Sequence, residues 1–496
     1  MSNTTEQKPT QEVPENFQPP DDFGKGLFPL KKRKWGEEQP GIKLGIFTIR
    51  LPLIHHKWSW TEFVAALFLG VACLGAGVAV TMTQFGLDYE PNLAALGIDA
   101  NQAFLIALTF GIMNALCYYI PALMGDPVVP GWITPGLPLV IAFLSQWAIP
   151  DFATGQVDRI HAMIALQLTV AVIFFIMGIG GIGRRIVQAV PDSIKAGIIL
   201  GAGIFAGINV INVRVPLAPY TVIIAIALSY FFLFNPKFAE IAKTNKVLGA
   251  IRSQGIVPAQ VFAIILAPFL LREIPVPDIQ WGITPFNLGF IMEHFTIFGL
   301  GFPPIQFFLT ALPLAFAAYI IAFADIVMIK EFVDDATADR PDEKVIYNPT
   351  RTNLVSGIRN AIMGLFAPYP PMCGPVWTSG LLTVTERYKR GYKTMYSYWD
   401  GVGTFRAATI IAVLILPMVT LIRPAFHVFF GITMAVQAFA CSNIGIRMLK
   451  TNNDRGIAGC LAASIAVLPP QYALGIGIVI WLLVQGPEFL YKKKDS

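Results

Sequence analysis

The sequence predicts an all-α polytopic membrane protein with fourteen transmembrane helices in two inverted seven-helix repeats, and three observations carry that prediction. The 496 residues are 55% hydrophobic and only 14% charged, a balance that suits lipid rather than water as the main solvent. Apolar runs of about 20 residues, each long enough to cross roughly 30 Å of hydrocarbon as a helix, follow one another along the chain. Two of these runs, one in each half, are interrupted by closely spaced prolines and glycines at matching places.

The expected spans are residues 61–83, 102–124, 134–149, 161–182, 186–209, 219–234 and 256–271 in the first half. In the second half they are 305–330, 350–367, 375–386, 403–422, 425–448, 455–468 and 470–490. Orientation follows from lysines and arginines at the helix ends, which favour the cytoplasmic side. Counting spans alternately, Lys31 to Lys34, Arg184/Arg185, Lys237 to Arg252, Arg387 to Arg390, Arg447/Lys450 and Lys492 to Lys494 share one side. Asp88, Glu90, Asp151, Asp158, Glu273, Asp278 and Glu293 fall on the other. Both termini are therefore expected in the cytoplasm and the chain in a cell (inner) membrane.

Residues 1–57 are polar and lack the apolar core of a signal peptide, so they read as a partly disordered cytoplasmic tail. The expected division is then 58–275 for the first repeat, 276–304 for an extracytoplasmic connection and 305–496 for the second repeat with a short C-terminal tail. The formal charge of +5 is accounted for by the cytoplasmic loops, and no nucleic-acid partner is expected. Cys73, Cys117, Cys373, Cys441 and Cys460 show no CxxC spacing, and the five histidines are scattered, so neither a disulfide nor a bound metal is expected. There is no Walker loop. The strings "GIGGIGRR" and "GLGFPP" sit at helix ends, where close packing explains their glycines. No enzyme activity and no cofactor are expected, and an ion gradient is left as the energy source for any transport.

The interruptions carry the functional reading. The first, "GDPVVPGWITPGLPLVI", contains Pro127, Pro130, Gly131, Pro135, Gly136 and Pro138; the second, "APYPPMCGPVWTSGLLTV", contains Pro368, Pro370, Pro371, Gly374, Pro375 and Gly380. Proline lacks a backbone N–H and disfavours helix before it, so each segment is extended first and helical afterwards. Extended backbone survives at membrane depth only where protein buries it or where it lines a watery cavity. Half-helices starting near Pro135 and Pro375 then direct unpaired N–H groups and the positive ends of helix dipoles inward, a site for an anion or a polar carbonyl. Trp132, Thr134, Pro135, Gly136, Pro375, Trp377, Thr378 and Ser379 are its candidate lining, with the three hydroxyls suited to N-cap positions. For the two tryptophans a role as interfacial anchors stays open. Pro121 and Pro417 read as simple kinks.

Asp325 is the one carboxylate well inside an apolar stretch, where an unpaired charge costs on the order of 3 kcal/mol. It suits coupling by protonation or Na+ binding; an ion pair with Arg359 or Arg406 is the structural alternative. Arg359 shares a polar helix face with Asn353, Ser356 and Asn360. It adds positive potential to an anion site, or else snorkels or pairs with Asp325. Lys195, Asp192 and Arg406 read as interfacial.

Four stretches carry a family likeness over about residues 60–490: "QAVPDSIKAGIILGAGIFAG", "LPLAFAAYIIAFADIVMIKEF", "NLVSGIRNAIMGLFAPYPP" and "CSNIGIRML". In them the chain resembles the superfamily of uracil/xanthine permeases and sulfate-permease-type anion transporters. The resemblance implies a core domain of helices 1–4 and 8–11, a gate domain of helices 5–7 and 12–14, and a homodimer through the gate. It also implies a coupling role for an acid on helix 8, a place that Asp325 matches. Nucleobase permeases of this type hold their substrate with two acids, and the corresponding places here are Ile321 and Trp377. The resemblance thus points to a cation-coupled transporter (symporter) of a small anion of the sulfate, bicarbonate or carboxylate type, with H+ or Na+ as partner. A nucleobase symporter and an uncoupled anion channel are the alternatives.

Overall fold

A computed structural model describes residues 33–58, 60–253 and 256–486, some side chains within helices excepted. Every expected span overlaps a helix. In the first half these are Trp60–Gln84, Ala100–Cys117, Leu137–Leu144, Asp158–Gly178, Asp192–Asn209, Pro219–Phe234 and Val257–Leu270. In the second half they are Ile305–Ala338, Pro349–Phe366, Thr378–Tyr388, Tyr398–Leu414, Phe426–Met448, Asn452–Val467 and Pro470–Val484. Among the described residues five helices are long and apolar enough to cross a bilayer, and a sixth if Pro219–Phe234 and Pro236–Ala242, bent by 61°, form one span. Among these fourteen helices the shortest are the two that follow the breaks. Leu137–Leu144 and Thr378–Tyr388 have 8 and 11 residues, which at 1.5 Å rise is about 12 and about 16 Å, half of a bilayer. Pro121 and Pro417 lie in the first turn of short helices, Ile120–Leu123 and Leu416–Ile422.

The helices pack in two groups that touch through Trp60–Gln84. That helix lies against Ala100–Cys117 and Tyr398–Leu414 and also against Phe426–Met448, while Asp158–Gly178 lies against Ile305–Ala338 and Pro349–Phe366. Asp192–Asn209 packs instead on Phe426–Met448 and Asn452–Val467, and Pro219–Phe234 on Phe426–Met448.

Residues 33–57, polar by composition, are held against the body by ion pairs that composition does not reveal. A hairpin pairs Ile42–Leu44 with Phe47–Ile49. Beyond it Arg50 is 1% exposed, lies 4.1 Å over the Trp399 ring and donates to the Gln39 carbonyl at 3.0 Å. Asp342, in the loop after Ile305–Ala338, accepts from Arg33 at 2.5 Å and from Arg340 at 2.6 Å. Burial alone would raise the Asp342 carboxyl, but Arg340 and Arg33 outweigh it and hold the group below the usual carboxylate range. A depressed carboxyl stabilises the fold above its unfolded pKa and ceases to do so as pH falls through the folded value. Removing one partner of a buried pair costs about 3–5 kcal/mol, so Asp342→Asn is expected to free residues 33–57 at neutral pH. Limited proteolysis checks this: cleavage in that segment accelerates in the variant, and in the parent only in acid below the ordinary carboxylate pKa of about 4.

Candidate functional site at the two helix breaks

The two breaks meet. Gly131 pairs with Gly374 and Trp132 with Cys373 in a short antiparallel ladder. The Ile133 N–H donates to the Met372 carbonyl at 3.3 Å and the Trp377 N–H to the Val129 carbonyl at 2.7 Å. Extended backbone in an apolar setting must find partners, and here each break supplies the other's. The contact leaves no room for side chains: a Cβ on Gly374 would stand 2.3 Å from the Trp132 carbonyl oxygen, and one on Gly131 would stand 2.8 Å from that of Val376.

Pro349–Phe366 backs the ladder with its polar face. Arg359, fully buried, donates from Nη1 to the Gly374 carbonyl at 2.8 Å and from Nη2 to the Gly131 carbonyl at 3.1 Å. One guanidinium thus spans both breaks. Asn360 treats Cys373 as a neighbouring strand would, accepting its N–H at 2.9 Å and donating to its carbonyl at 2.8 Å. Gln167 accepts the Tyr369 N–H at 2.7 Å. Tyr319 donates to Asn353 at 3.0 Å, tying Ile305–Ala338 to the same face.

Arg359 therefore neither snorkels nor pairs with Asp325; the backbone carbonyls of the breaks take its donors. Arg406 is not interfacial either: it is 1% exposed, and its guanidinium lies 4.2 Å over the Tyr118 ring, with Arg359 on the same ring at 5.4 Å. Close packing of Tyr398–Leu414 on Trp60–Gln84 and Ala100–Cys117 carries it inside. Lys195 and Asp192 form a partly exposed pair at 2.8 Å.

The second half-helix begins at Thr378 rather than near Pro375, because the Trp377–Val129 bond prolongs the extended segment by three residues. The first opens with a 3-10 turn over Thr134–Gly136 and becomes α-helical at Leu137. Neither helix has a side-chain cap: the cap positions fall on Gly136 and Trp377, so Thr134 and Thr378 lie inside helical turns and do not cap them. Gly136 and Pro375 are buried, Thr134, Pro135 and Trp377 half-buried, and Thr378 exposed, while the Ser379 side chain lies outside the described residues. Trp132 is buried edge-to-face against Tyr369, 6.1 Å between ring centres, and its indole N–H has no partner among the described residues. That environment is the reverse of a headgroup anchor's.

Asp325 is half-buried on Ile305–Ala338, a helix that touches both the Thr134–Gly136 turn and the Thr378–Tyr388 half-helix. It makes no hydrogen bond or ion pair among the described residues and stands within electrostatic reach of Tyr347 and Cys441.

No family model and no curated protein matches the chain. Solved structures do: the transmembrane domain of a cyanobacterium bicarbonate transporter, BicA, matches 85% of this chain and 99% of its own at a TM-score of 0.50 and 15% identity. In fold, the chain resembles that transporter domain. Murine Slc26a9, an anion transporter in the inward-facing state, covers 86% of this chain and 68% of its own (TM-score 0.48, 14% identity). A further SLC26A9 structure covers 85% and 64% (TM-score 0.45, 13% identity). The expected resemblance to sulfate-permease-type anion transporters stands at the level of fold.

Sequence reasoning misses Tyr118, Gln167 and Tyr369, and places Arg406 at the interface rather than beside the breaks. A lone arginine in "FRAATIIAVLIL" and a lone glutamine in "MIALQLTVAV" were the signals that pointed to two of them.

Proposed function

We propose that the protein is a secondary active transporter of a small anion of the sulfate, bicarbonate or carboxylate type, working by alternating access. The observation that carries this reading is Arg359: a fully buried guanidinium, bonded only to backbone carbonyls of the two breaks and with no carboxylate paired to it among the described residues. Its charge adds to the positive ends of the two half-helices. Asp126, the nearest buried acid in the first break, is engaged by Thr352 at 2.8 Å and Arg351 at 3.8 Å. A net positive, partly dry junction favours an anion over a neutral ring. The lining is taken to be Trp132, Thr134, Pro135, Gly136, Pro375, Trp377, Thr378 and Ser379.

The helices are read as fourteen spans in two inverted repeats, 58–275 and 305–496, with both termini cytoplasmic in the inner membrane. Helix pairing supports the repeat: the contact of Trp60–Gln84 with Tyr398–Leu414 is answered by that of Ile305–Ala338 with Asp158–Gly178. The two packing groups correspond to a moving core and a gate through which the protein forms a homodimer. Asp325 couples H+ or Na+ to the movement, since neutralising an unpaired acid lets its helix slide past the gate. Asp325→Asn is expected to leave anion exchange running while removing the response of net uptake to pH and Na+ gradients. Proteoliposome uptake with each gradient imposed in turn checks it: a variant that still concentrates the anion sinks the coupling role. Large unitary currents in a planar bilayer would replace the transporter with a channel.

A further inference from the structure

Away from the breaks, a cavity of about 380 Å³ opens at the end of the molecule that carries Asp88 and Glu273. Arg214, Arg423 and His427 line it together with those two acids, and Phe426 forms part of its wall. The Phe426 ring lies 5.7 Å from that of Phe104 and fills the space beside Gly75, where a Cβ would come within 2.5 Å of it. Ala79, Met82 and Thr83 of Trp60–Gln84 line the same cavity.

Arg214 is the unusual member. It is 7% exposed, its guanidinium lies 4.4 Å over the Phe430 ring, and it makes no hydrogen bond or ion pair among the described residues. Buried arginines are ordinarily paired, because a guanidinium stripped of water without acceptors is costly. The acids nearby are engaged elsewhere. Glu273 accepts the Tyr220 and Thr221 N–H groups at 3.1 and 2.7 Å, capping the start of Pro219–Phe234, and Asp88 accepts from Thr83 at 3.0 Å. Arg423 donates to Asn101 at 2.6 Å with its guanidinium 4.2 Å over Phe104. The backbone at Arg214 is special as well: the helix widens into a π-turn over Val210–Arg214 before Pro216 ends it. Such turns re-aim a side chain and recur at binding sites.

We propose that this cavity is a binding site for a small oxyanion, with the Arg214 guanidinium as its main ligand and Arg423 and His427 as further donors. The missing partner of Arg214 is then the ligand itself. A planar guanidinium fork offers two parallel N–H donors, which match the paired oxygens of sulfate, bicarbonate or a carboxylate. The site is separate from the breaks and does not depend on transport taking place.

The test uses the full chain in detergent with inorganic sulfate as the probe, titrated calorimetrically at constant ionic strength in the Arg359→Gln background, which disables the junction of the breaks. Saturable sulfate binding is expected there. Adding Arg214→Gln should weaken it at least tenfold, whereas adding Asp88→Asn, which removes a nearby negative charge, should tighten it several-fold. The gain from Asp88→Asn cannot arise from misfolding, so it decides the matter if the Arg214 variant does not fold. Absence of saturable binding in the Arg359→Gln background, or affinity unmoved by both second substitutions, would overturn the proposal. Anion transport that fails in liposomes while this binding persists would count against the transport reading alone.

Discussion

Arg359→Gln is expected to lower the rate of anion uptake about a hundredfold while leaving a folded protein. Glutamine keeps an amide donor for one of the two carbonyls but removes the charge. A hydrogen bond to a charged group contributes about 1.5–3 kcal/mol net, and about 3 kcal/mol corresponds to roughly a hundredfold. Because the guanidinium is fully buried, salt in the bath screens its charge little. Arg359→Lys keeps the charge without the fork, so it should restore part of the flux although it cannot reach both carbonyls at once. Initial rates of tracer-anion uptake, measured beside the melting temperature of each variant, separate the two roles. If uptake were normal while the melting temperature fell, Arg359 would only be a clamp on the ladder.

Gly374→Ala is expected to cost both fold and function. The methyl group would stand 2.3 Å from the Trp132 carbonyl oxygen and 2.7 Å from the Ile133 nitrogen. Both are backbone atoms of the facing segment, so no flexible side chain can yield and the two breaks must part. Overpacking in a well-filled interior typically costs about 1–3 kcal/mol, and parting the breaks also takes both acceptors from Arg359. The variant should melt well below the parent and lose uptake altogether. Gly459→Ala, on a helix where a Cβ would meet nothing within 4 Å, is the matched control and should behave as the parent. Equal melting temperatures for the two variants would show that the ladder tolerates separation.

Proline and glycine chemistry made both breaks legible in the sequence, since Pro130–Gly131 and Gly374–Pro375 cannot continue a helix. What these rules do not contain is the partner. The pairing of Trp132 with Cys373 joins positions in different halves of the chain, and no local pattern records it. The same pairing explains why the second half-helix starts later than its proline implies: the Trp377 N–H is already committed to Val129. Arg359 stood out as a charge in a short span, yet a charge has no direction in a sequence, so pairing with Asp325 and bonding to backbone looked alike. Arg406 and Arg214 were harder still, because an arginine near a helix end reads as interfacial until packing shows otherwise. The order in residues 33–57 escaped composition for a related reason: it rests on Arg33, Arg340 and Asp342, which are distant in sequence and unremarkable one at a time.

The measurement closest to the central claim is the electrical response of reconstituted protein on a solid-supported membrane to rapid solution exchange. Sulfate, bicarbonate and a set of small carboxylates are applied in turn, followed by uracil and xanthine. The account predicts saturable transient currents with at least one of the anions, none with the nucleobases, and none with any solute in Arg359→Gln. Saturable currents with uracil or xanthine in a protein silent to every anion, and undiminished in Arg359→Gln, would contradict it.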